Sequence, residues 1–433
     1  KPIVIQSYNG EQVTFDGTVA INTISSGEWF QHAGSIYKLK LSEPIWQLFV
    51  DDEMMINARW PNARFDDDSV YSRDSWAIGL DATTSNGHIE TDSSVHDLAA
   101  ANIDASKSVI VANTRHFNTY TRKVTAHSAG SNVLEHEVTP FFWGSKSYYY
   151  LQGALSLLDQ DKEWHIDASS NTAYFWAADG KSPNGNIRGR NQQFVIDANN
   201  WNYVTFKGLD FFATTVELTA SESIIIEDCN FNYSGVSKRA LGATTSKASL
   251  LRLTNTVGEG NFTLRNITIT NSDSQAFQIK GDNTLVENSL FENIDWAATE
   301  SYSPSASLVF HGNNTLFRRN TIRNAGTSET IATAINGSGT NSSITAQYNN
   351  IYNTGYAQSD GAQLQIRIDA QDGTVLHHNW LHDTPKYGFR FDAPIPPPHW
   401  GDNGFSHHNV VWNSSGANPK GDNDRHYNNL LFD

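Results

Sequence analysis

Carboxylates recur along the second half of the chain, about one repeat apart. Asp273, Glu300, Glu329 and Asp360 each lie in a loop that leads into a strand-like segment, and Asp392 follows such a segment. Hydrolysis of a glycosidic bond needs two carboxyl groups, about 5–5.5 Å apart for retention or about 6.5–9.5 Å apart for inversion. Glu329 with Asp360, or Asp360 with Asp392, could form such a pair, because like charges this close raise the pKa of one of them.

Basic and amide side chains accompany the acids. Two-residue alternation in the strand-like segments predicts an outward set: Gln278, Lys280, His311, Asn336, Gln363, Gln365, Arg367, Arg390 and Asp392. Lys280, His311, Arg367 and Arg390 are expected at corresponding positions, as a cationic strip. Such a strip could bind an anionic polymer. It could equally serve β-elimination, in which His311 removes a proton and Arg367 or Arg390 neutralises a uronate carboxylate.

Further substrate contacts are predicted near the same segments. The stretch "APIPPPHWGDNG" (393–404) contains three consecutive prolines, which favour a stiff extended loop. Trp400 in this loop is either a stacking platform for a sugar or a buried side chain of a surface loop. The predicted substrate-binding residues are Lys280, Gln363, Gln365, Arg367, Arg390, Tyr387, Trp400 and Glu300.

No metal or other cofactor is expected. The adjacent pairs His377–His378 and His407–His408 favour structural stacking over ligation. The segment "DAQDG" (369–373) lacks the rest of a calcium-loop motif. The sequence contains no phosphate-binding glycine loop and no serine nucleophile elbow.

A repeat positions these residues. Asn320, Asn349, Asn379 and Asn409 recur at intervals of 29–30 residues, and a second polar residue follows each of them, at Asn324, Asn353, Asp383 and Asn413. The segments between them read as strands, and no amphipathic helical pattern separates them. Self-similarity at this period indicates a solenoid. The sequence therefore predicts an all-β fold, a right-handed parallel β-helix whose coils stack about 4.8 Å apart.

Asparagine suits one corner of every coil. It tolerates the left-handed backbone region, and stacked amides can hydrogen-bond along the ladder. The same alternation predicts the side chains that fill the coil interior: Phe277, Ile279, Leu308, Phe310, Ile335, Leu364, Ile366, Phe389 and Phe391.

The first half of the chain breaks the period. Residues 1–44 are expected to form the first coil or coils, residues 45–165 a β-rich insertion with a short helix near "SSVHDLAAANI", and residues 166–433 the β-helix with the active-site groove.

Composition limits the function classes. The chain of 433 residues carries a formal charge of −16, which argues against a nucleic-acid or anionic-membrane surface. No apolar run is long enough to span a membrane. Cys229 is the only cysteine, so no intrachain disulfide can form.

Three features together resemble a known group of proteins: "IWQLFVDDEMMINARWPNARF" (45–65), "LSLLDQDKEWHIDASSNTAYFWAADG" (155–180) and the asparagine coils. They look like the secreted right-handed parallel β-helix enzymes of polysaccharide-degrading bacteria, a group that contains both glycoside hydrolases and polysaccharide lyases. The resemblance implies a fold and a broad activity, but the same scaffold hosts both reactions.

The leading hypothesis is a secreted or periplasmic, monomeric, endo-acting hydrolase of an anionic, sulfated algal polysaccharide, with Asp360, Glu329, Asp392 and His311 as the catalytic candidates. The alternatives are a lyase of uronate polymers and a non-catalytic carbohydrate-binding β-helix.

Overall fold

The computed structural model describes residues 1–433 except 143, 145, 245–249, 256–258, 298–305, 334–342, 359 and 394–400, and except the side chains of Arg115 and Ile368. The chain forms two compact units. The first unit consists of Lys1–Asp16, Gln193–Val236 and Ser249–Asp433, and the second of Gly17–Gln192 and Ser237–Ala248.

Three parallel sheets build the first unit. Sheet 1 contains, in spatial order, Ile3–Gln6, Val204–Lys207, Ile225–Glu227, Thr263–Arg265, Leu285–Glu287, Thr315–Arg318, Ile344–Gln347, Val375–His377, Phe405–His407 and Arg425–Tyr427. Sheet 2 contains Thr14–Asp16, Asp210–Phe212, Asn230–Asn232, Thr268–Ser272, Leu290–Ile294, Thr321–Ala325, Asn350–Thr354, Trp380–His382, Val410–Trp412 and Leu430–Phe432. Sheet 3 contains Ile196–Asn199, Val216–Thr219, Leu251–Thr254, Phe277–Lys280, Leu308–His311, Ile331–Thr333, Ala362–Ile366, Tyr387–Phe391 and Ala417–Pro419, and the short 3₁₀ helix Ile368–Ala370 follows one of its strands.

Each coil passes through sheet 1, then sheet 2, then sheet 3, before the next coil stacks on it in register. Leu364, for example, lies opposite Ile331 on one side and Phe389 on the other. This arrangement is a parallel β-helix, and it confirms the predicted fold class.

Apolar side chains from all three sheets fill the coil interior. The predicted inward residues that the structure describes are at most 2% exposed: Phe277, Ile279, Leu308, Phe310, Leu364, Ile366, Phe389 and Phe391. Aromatic rings pack between coils, as in the stack of Phe211 on Phe231 with ring centroids 4.3 Å apart. Ile335 lies outside the described residues. The alternation therefore identified the interior face correctly.

Two asparagine ladders mark the two ends of the sheet 2 strands. At the corner between sheets 1 and 2, Asn379 is buried, and its side-chain amide donates to the Oδ1 atom of Asn409 at 2.9 Å and to the backbone oxygen of Ala346 at 2.9 Å. At the other end, the left-handed residues are Asn324, Asn353, Asp383 and Asn413, as predicted. The first ladder differs from the expectation, because the left-handed residue there precedes the asparagine, for example His378 before Asn379.

The second unit is built from two mostly antiparallel sheets. One contains, in order, Thr18–Ala20, Ile187–Arg190, Gln47–Val50, Glu53–Asn57, Glu163–Asp167, Thr172–Trp176, Ile36–Lys40 and Phe30–Ala33. The other contains His88–Glu90, Val133–His136, Asn118–Ala126, Val109–Arg115, Tyr148–Gln152 and Arg59–Trp60, with Ala77–Ile78 also paired to Tyr148–Gln152. The helical segments are Leu98–Ala101, which is α-helical, and the 3₁₀ turns Ile21–Thr23, Ser69–Tyr71, Arg73–Ser75, Leu155–Leu157 and Arg239–Leu241.

The boundaries of this unit differ from the segment 45–165 expected from the sequence. The unit begins at Gly17 because strands such as Ile36–Lys40 pair with Thr172–Trp176 within it, and it extends to Gln192. The predicted short helix lies at Leu98–Ala101, where the carboxylate of Asp97 accepts from the backbone N–H of Ala100. Among the described residues, no helix is both long and apolar enough to cross a membrane.

Candidate active site

Turns between sheets 2 and 3 carry two of the predicted acids, Glu329 and Asp360. The Ser328 backbone N–H donates to the Oε1 atom of Gln358 at 3.1 Å, and the Ser328 hydroxyl donates to the backbone oxygen of Asp360. Gly361 has a φ of +142°, and a Cβ atom there would lie 2.8 Å from the Ser328 carbonyl carbon. Glycine is needed at this position because the two turns approach each other so closely.

Glu329 extends over the outer face of sheet 3 to Arg367. The Nη2 atom of Arg367 lies 2.6 Å from the Oε2 atom of Glu329, whose side chain is only 7% exposed. Burial raises the pKa of Glu329 above its usual value, the Arg367 guanidinium opposes that shift, and the charge of Asp392 adds to it. Glu329 is therefore a carboxyl group that holds its proton more strongly than a solvated glutamate does.

Arg390 connects the other two acids. Its Nη1 atom lies 3.1 Å from the Oδ1 atom of Asp360, and its Nη2 atom lies 2.8 Å from the Oδ1 atom of Asp392. Because both carboxylates contact the nitrogen atoms of one guanidinium, they lie close together. Asp360 and Asp392, from consecutive coils, thus share one local site.

Asp392 has two further partners. The Nε2 atom of Gln365 donates to its Oδ2 atom at 2.9 Å, and the Nζ atom of Lys420 donates to its Oδ1 atom at 2.9 Å. These donors, together with Arg390, fix the orientation of the carboxylate. We call the assembled group the acid–base cluster; its members are Glu329, Asp360, Asp392, Gln365, Arg367, Arg390 and Lys420.

The acid–base cluster has the elements of general acid–base chemistry. Glu329 is a buried carboxyl group with a raised pKa, which suits a proton donor. Asp392 is a second carboxylate, part-exposed, whose charge acts on Glu329. Pairs of carboxyls whose surroundings separate their pKa values divide the acid and base roles between them.

His311 and Lys280 occupy the same outer face, two and three coils before Arg367. They lie opposite each other in the register of sheet 3. The Nε2 atom of His311 is 3.4 Å from the Nε2 atom of Gln278, whose Oε1 atom accepts from Arg252 at 3.0 Å. His311 is thus linked through Gln278 to Arg252, on earlier coils than the acid–base cluster. Asp273, in an earlier turn, is buried.

The predicted cationic strip needs correction at Arg390. Tyr387 lies opposite Ala362, which places Arg390 opposite Gln365. Asp392 is consequently the residue opposite Arg367. Arg390 lies two residues earlier on the strand and so is not in line with Lys280, His311 and Arg367. The error arises because the strand-like segment was aligned two residues out of phase, which preserves the face but moves the side chain along the strand.

Three outward amides are not open to solvent. Gln278, Gln363 and Gln365 point away from the coil interior but are 7%, 0% and 1% exposed. Gln363 donates to the backbone oxygen of His382 at 2.7 Å. The outer face of this sheet also buries Val309. A polar residue on the outer face of sheet 3 is therefore a structural partner as well as a possible substrate contact.

The remaining predicted contacts have separate outcomes. Tyr387 is half-buried, and its ring centroid lies 5.9 Å from the Cζ atom of Arg390, beside the acid–base cluster. Glu300, Asn336 and Trp400 lie outside the described residues.

Lys420 was not predicted, although it lies one coil after Asp392 and donates its backbone N–H to the backbone oxygen of Phe391. Extending the repeat to "ANPKGD" (417–422) would have identified it.

The two histidine pairs stack between coils, as predicted. The rings of His377 and His407 are 4.8 Å apart, and those of His378 and His408 are 5.0 Å apart. Burial and the neighbouring imidazoles lower the pKa of His377 to about 4, so this ring is neutral at pH 7.

Comparison with known proteins supports the fold. No protein-family model matches the chain, and no curated protein matches it in sequence. A solved structure described as a glycoside hydrolase is similar over 100% of this chain and 84% of its own, with a TM-score of 0.55 and 12% identity. The structure of XylC in complex with xylose gives a TM-score of 0.47 at 12% identity, over 99% of this chain and 66% of that chain. An exopolygalacturonase from Thermotoga maritima gives 0.32 at 10% identity, over 53% of this chain and 52% of that chain. The first of these shows that the β-helix scaffold occurs in a glycoside hydrolase, which agrees with the predicted resemblance at the level of the fold.

Proposed function

We propose that the chain is a glycoside hydrolase that cleaves an anionic polysaccharide on the outer face of sheet 3. One observation carries the proposal: three carboxylates from three consecutive coils meet around two arginines, and the most buried of them, Glu329, has a raised pKa. In this proposal Glu329 protonates the leaving oxygen. Asp392 is the second carboxyl, as a nucleophile or as the base that activates water, and Asp360 orients Arg390.

The cations of the cluster favour an acidic substrate. Arg367, Arg390 and Lys420 already contact carboxylates, and part of each side chain remains exposed. Guanidinium groups suit flat oxyanions such as sulfate esters. A sulfated algal polymer, cut within its chain by a monomeric enzyme, fits these groups. Because such a polymer cannot readily enter a cell, we place the enzyme outside the cytoplasm, secreted or periplasmic.

The reaction is tested by incubating the protein with sulfated and desulfated algal polysaccharides and weighing the products by mass spectrometry. Hydrolysis adds one water per cleaved bond. We expect activity on the sulfated polymer, and a fall of about 10²–10⁴-fold in Glu329→Gln and in Asp392→Asn, because neither amide can transfer the proton or replace a carboxylate nucleophile.

A matched control is Glu287→Gln. Glu287 is another mostly buried glutamate, 2.7 Å from Arg318, but it lies on sheet 1. We expect this variant to keep wild-type activity. Full activity in both Glu329→Gln and Asp392→Asn would contradict the proposal.

Elimination remains the second candidate, because Lys280 and His311 lie side by side on the same face. Hydrolysis is favoured over it because the acid–base cluster supplies a carboxyl group with a raised pKa and a second carboxylate, the two groups that hydrolysis needs. A lyase would give products that absorb in the ultraviolet and would depend on His311 rather than on Glu329. Binding to a polymer without any product would instead indicate a carbohydrate-binding protein.

A further inference from the structure

Four histidines meet on the outer side of sheet 1, at its corner with sheet 2. His377 and His407 end consecutive strands and lie opposite each other in the register, and His378 and His408 follow them. The Nδ1 atoms of His377 and His378 are 2.8 Å apart, and those of His407 and His408 are 2.9 Å apart. We call this group the histidine cluster.

The fold does not require histidine at these positions. His378 and His408 have left-handed backbones, with φ of 55° and 56°. In other coils the same corner position is held by Asp228, Asn266, Asn288, Arg319, Tyr348 and Asn428, with φ of 52–57°. Asparagine is the side chain that tolerates this region best after glycine. Since the corner accepts several residue types, it does not itself account for two successive histidines, each beside another histidine.

Three of the ring nitrogens lie close enough together to hold one metal ion. One ring nitrogen from each of His377, His378 and His407 lies within 4.8 Å of the others. Zinc–nitrogen bonds of about 2.0–2.1 Å place tetrahedral ligands roughly 3.3–3.4 Å apart. The Nδ1 pairs are about half an ångström closer than that, a difference that a small ring rotation removes. At a spacing of 2.8 Å, two Nδ1 atoms also hold at most one proton between them, so at least one lone pair is directed into the cluster.

We propose that the histidine cluster binds one divalent transition-metal ion, with His377, His378 and His407 as ligands and His408 as a fourth ligand or as the support of His407. Imidazole nitrogens suit Zn²⁺, Ni²⁺ and Cu²⁺. Because the ligands come from two consecutive coils, the ion joins those coils. This site lies on sheet 1 and does not depend on the proposed hydrolase activity on sheet 3.

Calorimetric titration of tag-free protein with Zn²⁺ tests the proposal, together with thermal melts in the presence and absence of the ion. The variants use residues that the chain itself carries at equivalent positions: His377→Gln, since Gln347 lies opposite His377, and His378→Asn, since Asn428 occupies that corner one coil beyond His408. The control is His32→Asn, an exposed histidine of the second unit.

We expect one Zn²⁺ per chain and a rise in melting temperature for the wild type and for His32→Asn. Loss of a neighbour that only orients a ligand already weakens metal sites about 10–100-fold, so each cluster variant should bind at least tenfold more weakly. The double variant should lose both the binding and the thermal shift. Absence of binding to the wild type would overturn the proposal, as would unchanged affinity in the double variant. The melts without metal show whether each variant is folded.

Discussion

Arg367 lies at the end of one strand of sheet 3 and contacts Glu329, which precedes the strand of the previous coil, with 2.6 Å between Nη2 and Oε2. This contact runs along the outer face rather than straight across to the neighbouring strand. The guanidinium lowers the pKa of Glu329, against the larger effect of burial. The protonation of the proposed acid is thus set by a residue that need not itself transfer a proton.

Removing Arg367 should move the alkaline limit of activity upward. In Arg367→Gln the pKa of Glu329 loses its main lowering influence, so Glu329 stays protonated to higher pH. The alkaline limb of kcat/KM, which reports the acid of the free enzyme, should shift to higher pH. Arg318→Gln on sheet 1 is the control and should leave the limb unchanged. A limb that stays in place or moves to lower pH in Arg367→Gln would be inconsistent with Glu329 as the acid.

Glu329 should also make stability depend on pH. Its pKa is about 4.5 in an unfolded chain and higher in the folded protein, so the folded state binds the proton more tightly. The contribution of Glu329 to the free energy of unfolding is complete below pH 4.5 and is lost as the pH rises through the pKa of the folded state. The free energy of unfolding of the wild type, relative to Glu329→Gln, should therefore fall with rising pH in urea melts. A difference that grows with pH would reverse the assigned direction of the pKa shift.

Gly361→Ala should disturb the turns that carry Glu329 and Asp360. A Cβ atom at this position would meet Ser328 at 2.8 Å, whereas at Gly373, with φ of +78°, the nearest atom would be 3.6 Å away. Gly373→Ala should cost about 1–2 kcal/mol for its backbone alone. Gly361→Ala should cost about 1–3 kcal/mol more, because the turns must separate, and should lower kcat. Equal losses for the two variants in urea melts would show that the close approach is unimportant.

The buried asparagine ladder should matter more than the left-handed one. Asn379→Ala removes two donated hydrogen bonds and the acceptor for the Asn349 backbone N–H, all in a buried position, and should cost about 2–4 kcal/mol. Asn353 is exposed, and Asn353→Ala should cost about 1 kcal/mol, chiefly for its φ of 52°. Chemical denaturation of the two variants compares them directly, and the reverse order would contradict this account.

The interior face of sheet 3 has its own test. Ile366 is fully buried, so Ile366→Ala should lower the free energy of unfolding by about 2–5 kcal/mol. Thr345 points outward from sheet 1 and is half-buried, so Thr345→Ala should cost less than about 1 kcal/mol. Similar losses for both variants would mean that the interior is not the main source of stability.

The sequence predicted the coil and its interior because both follow from periodicity. Phe389 and Phe391 face inward, as two-residue alternation required, and Asn324 to Asn413 occupy one corner. Alternation gives the face of a residue but not its exposure. Gln363 and Gln365 face outward and are nevertheless buried, and each donates to a residue of the next coil. No local pattern in a strand predicts such a contact.

The acid–base cluster was predicted in part. Glu329, Asp360 and Asp392 could be named from their recurrence, but their pairing depends on long side chains that run across coils. Arg390 reaches both aspartates, and Glu329 is coupled electrically to Asp392, a pair that the spacing of the loops did not suggest. Such contacts depend on rotamers and on the exact strand register, which sequence spacing fixes only to within two residues.

Each member of the acid–base cluster comes from a single rung, that is, from one coil of the β-helix. Each rung contacts only the rungs on either side of it. The cluster draws on four successive rungs, from Glu329 to Lys420, and every rung supplies between one and three members. The residues of one rung can therefore change independently of the others. Exchanging one rung for another of the same length would replace its cluster members and leave the remaining rungs in register. Removing a whole rung would instead bring together residues that now lie two steps apart, so a duplication or deletion of about thirty residues could give a β-helix a new reaction in one genetic event.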